Sequence, residues 1–252
     1  MRYDKDNGKQ IYGTLLPNLN PASLKGRLIV VEGADGSGRS TQVGLLQDWL
    51  EENGYATVQV GLKRSMLAGQ ELERAMQGHT LSPITFSLFY ATDFADQLEQ
   101  EIIPALRADF IVLADRYIYT TMVRDIARGM NPDWVRDVYS IALVPDIIFY
   151  LDVSPKVLAE RTLRKNSVLS YWESGMDIRR SGDWYECFIR YQRQVHKVFE
   201  GMATAYGFEV VDGNRTPLQV AADLRRRMRA LLGMEARSSA KKARKKRRAE
   251  KA

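Results

Sequence analysis

The sequence predicts an α/β fold, a three-layer sandwich in which a parallel sheet carries helices on both faces. Short runs of β-branched and apolar residues alternate along the chain with longer segments whose apolar residues recur at helical spacing. The first run, Leu28 to Val31, continues through a glycine-rich loop directly into a helical segment. Strands that alternate with helices favour a parallel sheet, because each helical crossover returns the chain to the same end of the sheet.

The loop after the first strand has the spacing of a phosphate-binding loop, G-x-x-x-x-G-K-[ST], with arginine where lysine is usual. Its residues are Gly33, Ala34, Asp35, Gly36, Ser37, Gly38, Arg39, Ser40 and Thr41. Glycines let backbone N–H groups turn toward phosphate oxygens, and the following helix adds its unpaired amides and positive dipole end. We expect Ser40 to place its hydroxyl on Mg²⁺ and Arg39 to reach the outer phosphates. The alternative is a glycine turn that only joins a buried strand to a helix.

The later elements follow from the same two periodicities. Further strands are predicted at 56–62, 110–114, 147–153 and 208–212. Helices are predicted at 70–76, 83–106, 154–164, 184–206 and 217–232, with another around 134–139. Gly54 ends the first helix, and Gly78 ends the helix at 70–76.

Composition bounds the class of protein. At 252 residues and 45% apolar content, the chain can bury one sizeable core. The single cysteine, Cys187, excludes an internal disulfide framework and a cysteine metal cluster, and two distant histidines add no metal site. No stretch approaches the roughly 20 apolar residues of a membrane span, and the first residues lack the apolar region of a signal peptide. We expect a soluble cytoplasmic protein without a membrane contact.

The positive charge is concentrated at one end of the chain. Residues 236–252 hold nine of the 37 Lys and Arg residues and one of the 31 acidic residues, which leaves 28 basic and 30 acidic residues in the remainder. The predicted organisation is therefore an irregular, loosely packed extension at 1–26, one domain at 27–234, and a basic, disordered tail at 235–252. The tail is either a solvated end or an electrostatic contact for RNA, DNA or another polyanion.

Two polar groups follow predicted strands. Asp115 and Arg116 come directly after the strand at 110–114, where a parallel sheet presents side chains to the phosphate loop. An acid there can hold magnesium or its waters, and an arginine can pair with a phosphate in bidentate fashion. The alternative is a buried structural ion pair. Arg64, just beyond the second strand, is equally explained as a ligand contact or a solvated arginine.

Several motifs, taken in order, resemble those of the thymidylate kinases, a family of P-loop nucleoside monophosphate kinases. They are EGADGSGRSTQ at 32–42, FYATD at 89–93, DRYIYT at 115–120, ARG at 127–129, PDIIFYLDV at 145–153, AER at 159–161 and VVD at 210–212. The resemblance covers Arg27 to about Leu232. It implies a P-loop NTPase-type sandwich, ATP and Mg²⁺ at the loop, transfer of the γ-phosphoryl group to a nucleoside monophosphate, and a lid. Members are commonly dimers, so it also implies a homodimer.

The resemblance assigns roles to individual residues. Asp35 corresponds to the carboxylate that meets the deoxyribose 3′-hydroxyl, Asp115 to the magnesium-side acid and Arg116 to the arginine that grips the acceptor phosphate. Phe89 corresponds to the aromatic residue that stacks on the base. Arg161 and Arg164 begin the segment that carries the lid arginines, which stabilise charge on the transferring group.

The sequence also departs from the family pattern. Arg39 replaces the loop lysine, and because a planar, forked head differs from a compact ammonium, we expect the loop to bind better than it catalyses. Asp93 stands where the family has a base-contacting arginine, and Val123-Arg124-Asp125 replaces A-Y-Q, a second base-contacting element. No R-E-P-G-G follows the second strand, although Arg64 could make its phosphate contact.

Three functions remain open at this stage. The first is a thymidylate kinase that converts dTMP to dTDP. The second is a kinase for another nucleotide or nucleoside, favoured if Asp93 faces a base amino group. The third is a nucleotide-binding switch whose basic tail contacts nucleic acid.

Overall fold

The computed structural model describes residues 9–14, 16–78, 81–178 and 183–234. The predicted basic tail lies outside the described residues, as do residues 1–8 of the predicted extension. None of the helices in these described ranges is long and apolar enough to cross a membrane.

The described residues form a five-stranded parallel sheet with the glycine-loop strand at its centre. The strands are β1 Arg27–Glu32, β2 Thr57–Gly61, β3 Ile111–Asp115, β4 Ile147–Asp152 and β5 Glu209–Asp212, in the order β2-β3-β1-β4-β5. The pairing of β1 with β3 sets Val31 opposite Asp115. Because parallel strands end at the same edge, the loop after β1 and the residues after β3 lie side by side.

Helices connect the strands and confirm the predicted α/β class. They are α1 Arg39–Glu52, α2 Gly69–Gly78, α3 Pro83–Gln97, α4 Ile103–Arg107, α5 Ile118–Ala127, α6 Pro132–Val138, α7 Pro155–Asn166, α8 Trp184–Tyr206 and α9 Pro217–Leu231. The single helix predicted at 83–106 contains a π-helical turn at Leu98–Ile102. Pro104 has no N–H to donate, and Ile103 donates to the carbonyl of Leu98, five residues back.

The central strand explains why the sheet is buried on both faces. Leu28 and Val30 pack in the apolar cluster with residues of α3, α5 and α8, whereas Ile29 and Val31 pack in a second cluster with residues of α1 and α9. All four side chains are fully buried. Consecutive apolar residues are typical of a strand covered on both sides, since neighbouring side chains point to opposite faces.

The N-terminal extension was expected to pack loosely, and for its described part this prediction was wrong. Lys9 is buried and forms an ion pair with Asp146, which also pairs with Arg27. Leu19 and Leu24 are buried in the main core cluster. The sequence shows no periodicity here because isolated side chains, rather than one face of an element, make these contacts.

Candidate functional site

The phosphate-binding spacing folds into a tight loop between β1 and α1. Gly33 has a φ angle of 151°, and a Cβ at this position would lie 2.7 Å from Ser37 Oγ. Gly38 is the N-cap of α1, with a left-handed φ of 93°. Glycine is required at the first position by close approach and at the second by backbone conformation. The unpaired amides of the first turn of α1 therefore open onto the edge of the sheet.

A cavity of about 350 Å³ lies over this loop. Besides loop residues 35–41, it is lined by Arg116, Arg161, Thr162, Lys165, Asn166 and Glu173. Three buried polar atoms beside it, Ser37 Oγ, Thr162 Oγ1 and Arg116 Nε, have no hydrogen-bond partner among the described residues. Buried polar groups are normally paired, so these atoms fit phosphate oxygens bound at the cavity.

Ser40 and Asp115 meet at the floor of the cavity. The Ser40 hydroxyl donates to Asp115 Oδ2 at 2.6 Å. Mg²⁺ prefers such hard oxygen ligands and is usually held by one or two protein groups together with substrate phosphates and water. The described residues contain no cluster of three His, Cys, Asp or Glu side chains that could enclose a metal by themselves. The pair therefore fits a magnesium ion that arrives with a nucleotide.

Arg39 lines the cavity, but its guanidinium turns back onto the loop. It donates to the carbonyl oxygens of Gly33 and Ala34, and its Nε lies 3.2 Å from Asp115 Oδ1. The residue is buried, and burial lowers the pKa of its guanidinium, against the attraction of Asp115. The guanidinium thus does not extend toward the outer phosphates, where the sequence predicted it to lie. It connects the loop to Asp115 at the end of β3 by hydrogen bonds.

Asp35 is the centre of a cluster of arginines. Its Oδ1 forms an ion pair with Arg116 and lies 3.4 Å from Arg39 Nη2, and its Oδ2 pairs with Arg124. Arg116 has a φ of 74°, which is strained for a residue with a side chain. Burial, followed by repulsion from Arg124, lowers the pKa of Arg116 to about 9. Loop, strand end and α5 thus converge on one carboxylate.

Glu32 is a site residue that sequence analysis missed, as it missed the helix α5. Glu32 is fully buried and accepts hydrogen bonds from the backbone N–H groups of Tyr117 and Thr120, at 2.9 and 3.2 Å, and from the Thr120 hydroxyl. These amides belong to the N-terminal turn of α5, which needs acceptors. Burial raises the pKa of Glu32, while these hydrogen bonds lower it. A glutamate before the glycine loop was the available signal.

The two arginines assigned to the lid segment lie on α7 and differ in their surroundings. Arg161 donates to the carbonyl oxygens of Ser37 and Gly213, at 3.3 and 2.9 Å, and lines the cavity over the loop. Arg164 is exposed, and the next residue, Lys165, lines the cavity in its place. The helical rotation of about 100° per residue separates these neighbours, so the run of basic residues did not identify which one faces inward.

The predicted acceptor-side residues do not all meet. Asp93 is fully buried, and its carboxylate accepts the backbone N–H groups of Lys63 and Ser65 at 2.7 and 3.0 Å. It therefore shapes the loop after β2, in place of the base contact expected from the sequence. That loop carries Arg64, which is exposed. Phe89 lies half-buried on α3.

An aromatic cavity of about 130 Å³ lies beside the arginine cluster. Its walls include Phe86 and Trp172, whose rings stack with centroids 5.0 Å apart, together with Asp125 and Arg128. Asp125 accepts a hydrogen bond from the buried Ser87 hydroxyl, and burial raises the pKa of its carboxyl to about 6. Phe86, one helical turn before Phe89, is thus the aromatic residue of α3 that lines this cavity.

Comparisons with known proteins place most of the chain in one family. A family model for thymidylate kinase matches residues 31–211. The chain is 36% identical over 206 residues to a probable thymidylate kinase 2 from Saccharolobus solfataricus, which covers 81% of this chain and 95% of that protein. It is 30% identical over 197 residues to a probable thymidylate kinase from Pyrobaculum aerophilum, with 78% and 93% covered. A thymidylate kinase from Synechococcus sp. is 30% identical over 202 residues, with 77% and 91% covered.

Proposed function

This chain belongs to the thymidylate kinase family, and we propose that it transfers the γ-phosphoryl group of ATP to dTMP, giving dTDP and ADP. The family is one of phosphotransferases that use ATP as the donor. The observation that carries the proposal for this chain is the meeting of the glycine loop, the Ser40–Asp115 pair and the Arg116–Arg124 pair at one sheet edge. The names of the relatives support thymidylate as the acceptor.

The donor side follows from the cavity over the loop. The first-turn amides of α1 and the side chain of Lys165 are available to the phosphate oxygens, and Arg161 lies beside them. Ser40 and Asp115 would hold Mg²⁺, which would neutralise charge on the donor phosphates. The lining includes four basic residues, Arg39, Arg116, Arg161 and Lys165, beside the acidic Asp35 and Glu173. Cations placed beside the phosphates stabilise the charge that develops during phosphoryl transfer.

The acceptor side follows from Arg116. Its Nε is buried without a partner in the described part of the chain, and its guanidinium already binds one carboxylate. A phosphate monoester offers more acceptor atoms and more charge, so it would pair with the unused N–H. The aromatic cavity beside the cluster, with Phe86 and Trp172 in its walls, could receive a planar base.

ADP release with ATP and Mg²⁺ over a panel of acceptors tests the proposal. The panel contains dTMP, dUMP, dCMP, dAMP, dGMP and thymidine, and an Asp115→Asn protein purified in parallel reports contaminating kinases. We expect dTMP to give the highest kcat/KM. Release with every acceptor at the level of Asp115→Asn would refute a kinase, and a preference for thymidine over dTMP would indicate a nucleoside kinase.

We also propose that two copies associate through α3 and the adjoining loop. Ile84 and Leu88, one turn apart on α3, are exposed, and so are Met66 and Leu67. The Leu67 N–H lies 3.3 Å from Asp96 of α3, so this loop adjoins the C-terminal half of the helix. Light scattering would give the mass of a dimer, and Leu88→Glu should shift it to a monomer. A monomeric wild-type protein would refute this proposal.

For its surroundings we propose the cytoplasm and, through the basic tail, a salt-sensitive contact with polyanions. The support is compositional: one cysteine in the chain, and nine basic residues against one acidic residue after position 235. Deletion of the tail tests the proposed contact with polyanions.

A further inference from the structure

We propose that Arg124 and Arg116 form a two-arginine clamp for the phosphate of the acceptor, so that Arg124 contacts the phosphate and not the base. This inference rests on the proposed function, because it assigns a residue to the acceptor of that reaction. It differs from the sequence-based expectation, in which Arg124 stands at a base-contacting position.

The two guanidinium groups already hold an oxyanion between them. Arg116 pairs with Oδ1 of Asp35 and Arg124 pairs with Oδ2, so that each carboxylate oxygen accepts from one arginine. The side chains of Arg116 and Asp35 are each 17% exposed, and that of Arg124 is 23% exposed. The cluster is therefore accessible to a ligand but largely shielded from water. A phosphate has the same preference for paired guanidinium donors as a carboxylate, with an additional oxygen to accept.

The cluster retains a repulsion between its arginines and an unused donor. Asp35 and Asp115 form the ion pairs of Arg39, Arg116 and Arg124. Glu32 and Glu173 also attract Arg116 and Arg124. The like charges of Arg116 and Arg124 repel each other, and the Nε of Arg116 has no partner among the described residues. A phosphate monoester carries up to two negative charges, so its entry relieves the repulsion more fully than Asp35 does.

The location of Arg124 separates the phosphate from the base. Arg124 lines a cavity together with Gly33, Ala34 and Asp35 of the phosphate loop, and Trp172 forms a wall shared with the aromatic cavity. On its Phe86 side the aromatic cavity is lined by Asp125 of the same helix and by Arg128, the C-cap of that helix. Because successive residues of a helix point about 100° apart, α5 directs Arg124 to the loop and Asp125 to the aromatic cavity.

Calorimetric titration with dTMP and with thymidine distinguishes the two roles without requiring turnover. Arg124→Ala should weaken dTMP binding about 10- to 100-fold, the usual effect of losing a charged hydrogen-bonded contact. Thymidine, which lacks the phosphate, should bind the variant within about twofold of its wild-type affinity. Arg124→Lys keeps the charge but not the fork, so it should recover part of the dTMP affinity and also serves if the alanine protein does not fold. Arg136→Ala, an exposed arginine on α6 paired with Asp133, is the matched control.

Three results would overturn the clamp: equal losses for dTMP and thymidine in Arg124→Ala, no loss of dTMP affinity, or a wild-type protein that binds thymidine as tightly as dTMP. ADP release is measured separately. Absence of ADP release with intact, phosphate-dependent dTMP binding would refute the proposed function and leave the clamp supported.

Discussion

The arginine at position 39 offers the sharpest test of the site, because the sequence and the structure predict different costs for removing it. The loop spacing predicts that Arg39 contacts the phosphates, and in that role Arg39→Ala should leave the fold intact. In the structure the guanidinium binds the carbonyl oxygens of Gly33 and Ala34 and lies 3.2 Å from Asp115. Truncation therefore leaves two backbone acceptors and a carboxylate without the Arg39 donor, at a position where the side chains themselves are largely buried.

The magnitude follows from this burial. The Arg39 and Asp115 side chains are 7% and 10% exposed, so solvent screening is slight. Breaking a buried ion pair by removing one partner typically costs about 3–5 kcal/mol in the free energy of unfolding. A domain of this size loses about 2–4 °C in Tm per kcal/mol, so Arg39→Ala should melt roughly 6–20 °C below the wild type. Turnover should fall as well, because Asp115 would lose its orientation.

The companion variant Arg39→Lys separates stability from catalysis. An ammonium cannot reach two carbonyls and a carboxylate in the geometry of the guanidinium fork, so the variant should melt below the wild type. It should nevertheless turn over as fast as the wild type or faster, since a compact cation is free to meet the outer phosphates. Thermal denaturation and ADP release are measured on the same preparations. An Arg39→Ala protein with wild-type Tm would refute the structural role, and one with near-normal ADP release would refute any role in transfer.

Three further predictions concern the pair Asp115 and Arg116, the carboxyl of Asp125, and the basic tail. Asp115→Asn should lower mainly kcat and Arg116→Ala should raise mainly the KM for the acceptor, so an unchanged acceptor dependence in Arg116→Ala would show that another residue binds that phosphate. Because burial raises the pKa of Asp125 to about 6, its contribution to stability is present below the unfolded pKa near 3.8 and is lost as the pH rises through 6. Between pH 5 and pH 7.5 the Tm of the wild type should therefore fall by a few degrees relative to the Tm of Asp125→Asn. A Tm difference that does not change with pH would contradict this. Deleting residues 236–252 should leave Tm and ADP release unchanged, because their sequence has no apolar periodicity. The full-length protein should retain nucleic acid at low salt and release it as salt rises, whereas the truncated protein should not retain it. Equal retention by both proteins would exclude the tail as the contact.

The fold could be predicted closely because its signals are local. Each strand is a short apolar run, and each helix is a longer segment with an apolar stripe, so α8 at Trp184–Tyr206 begins and ends at the predicted residues. The glycine loop could be recognised for the same reason, because the positions whose backbone conformation requires glycine are close together in the sequence. The exception among the helices is α5, whose first turn is Ile118 to Thr121. Its β-branched residues weaken helix propensity. The acceptor for its first amides is the carboxylate of Glu32, which lies on strand β1.

The site could be predicted only where a role depends on position along the chain. Ser40 and Asp115 meet because strand ends meet, and that follows from the order of elements. The tasks of Asp93 and Glu32 depend on which backbone N–H groups lie opposite them, and those groups are about 30 and 88 residues distant in sequence. An aspartate or glutamate has the same one-letter code whether its carboxylate binds backbone N–H groups or a nucleotide base. Composition and spacing cannot separate them, whereas hydrogen-bond partners can.

The position of Arg39 also changes which cations are free to act on the transferring group. A guanidinium that holds two loop carbonyls and lies against Asp115 is not available to follow charge as it develops. Arg161 is partly committed as well, to the carbonyls of Ser37 and Gly213. Lys165, exposed at the cavity on α7, has no such restraint among the described residues, and a flexible ammonium can approach a phosphate bound there. We therefore expect Lys165 on α7, more than Arg39 of the loop, to stabilise the transferring group, and the turnover of Arg39→Lys relative to the wild type tests this expectation.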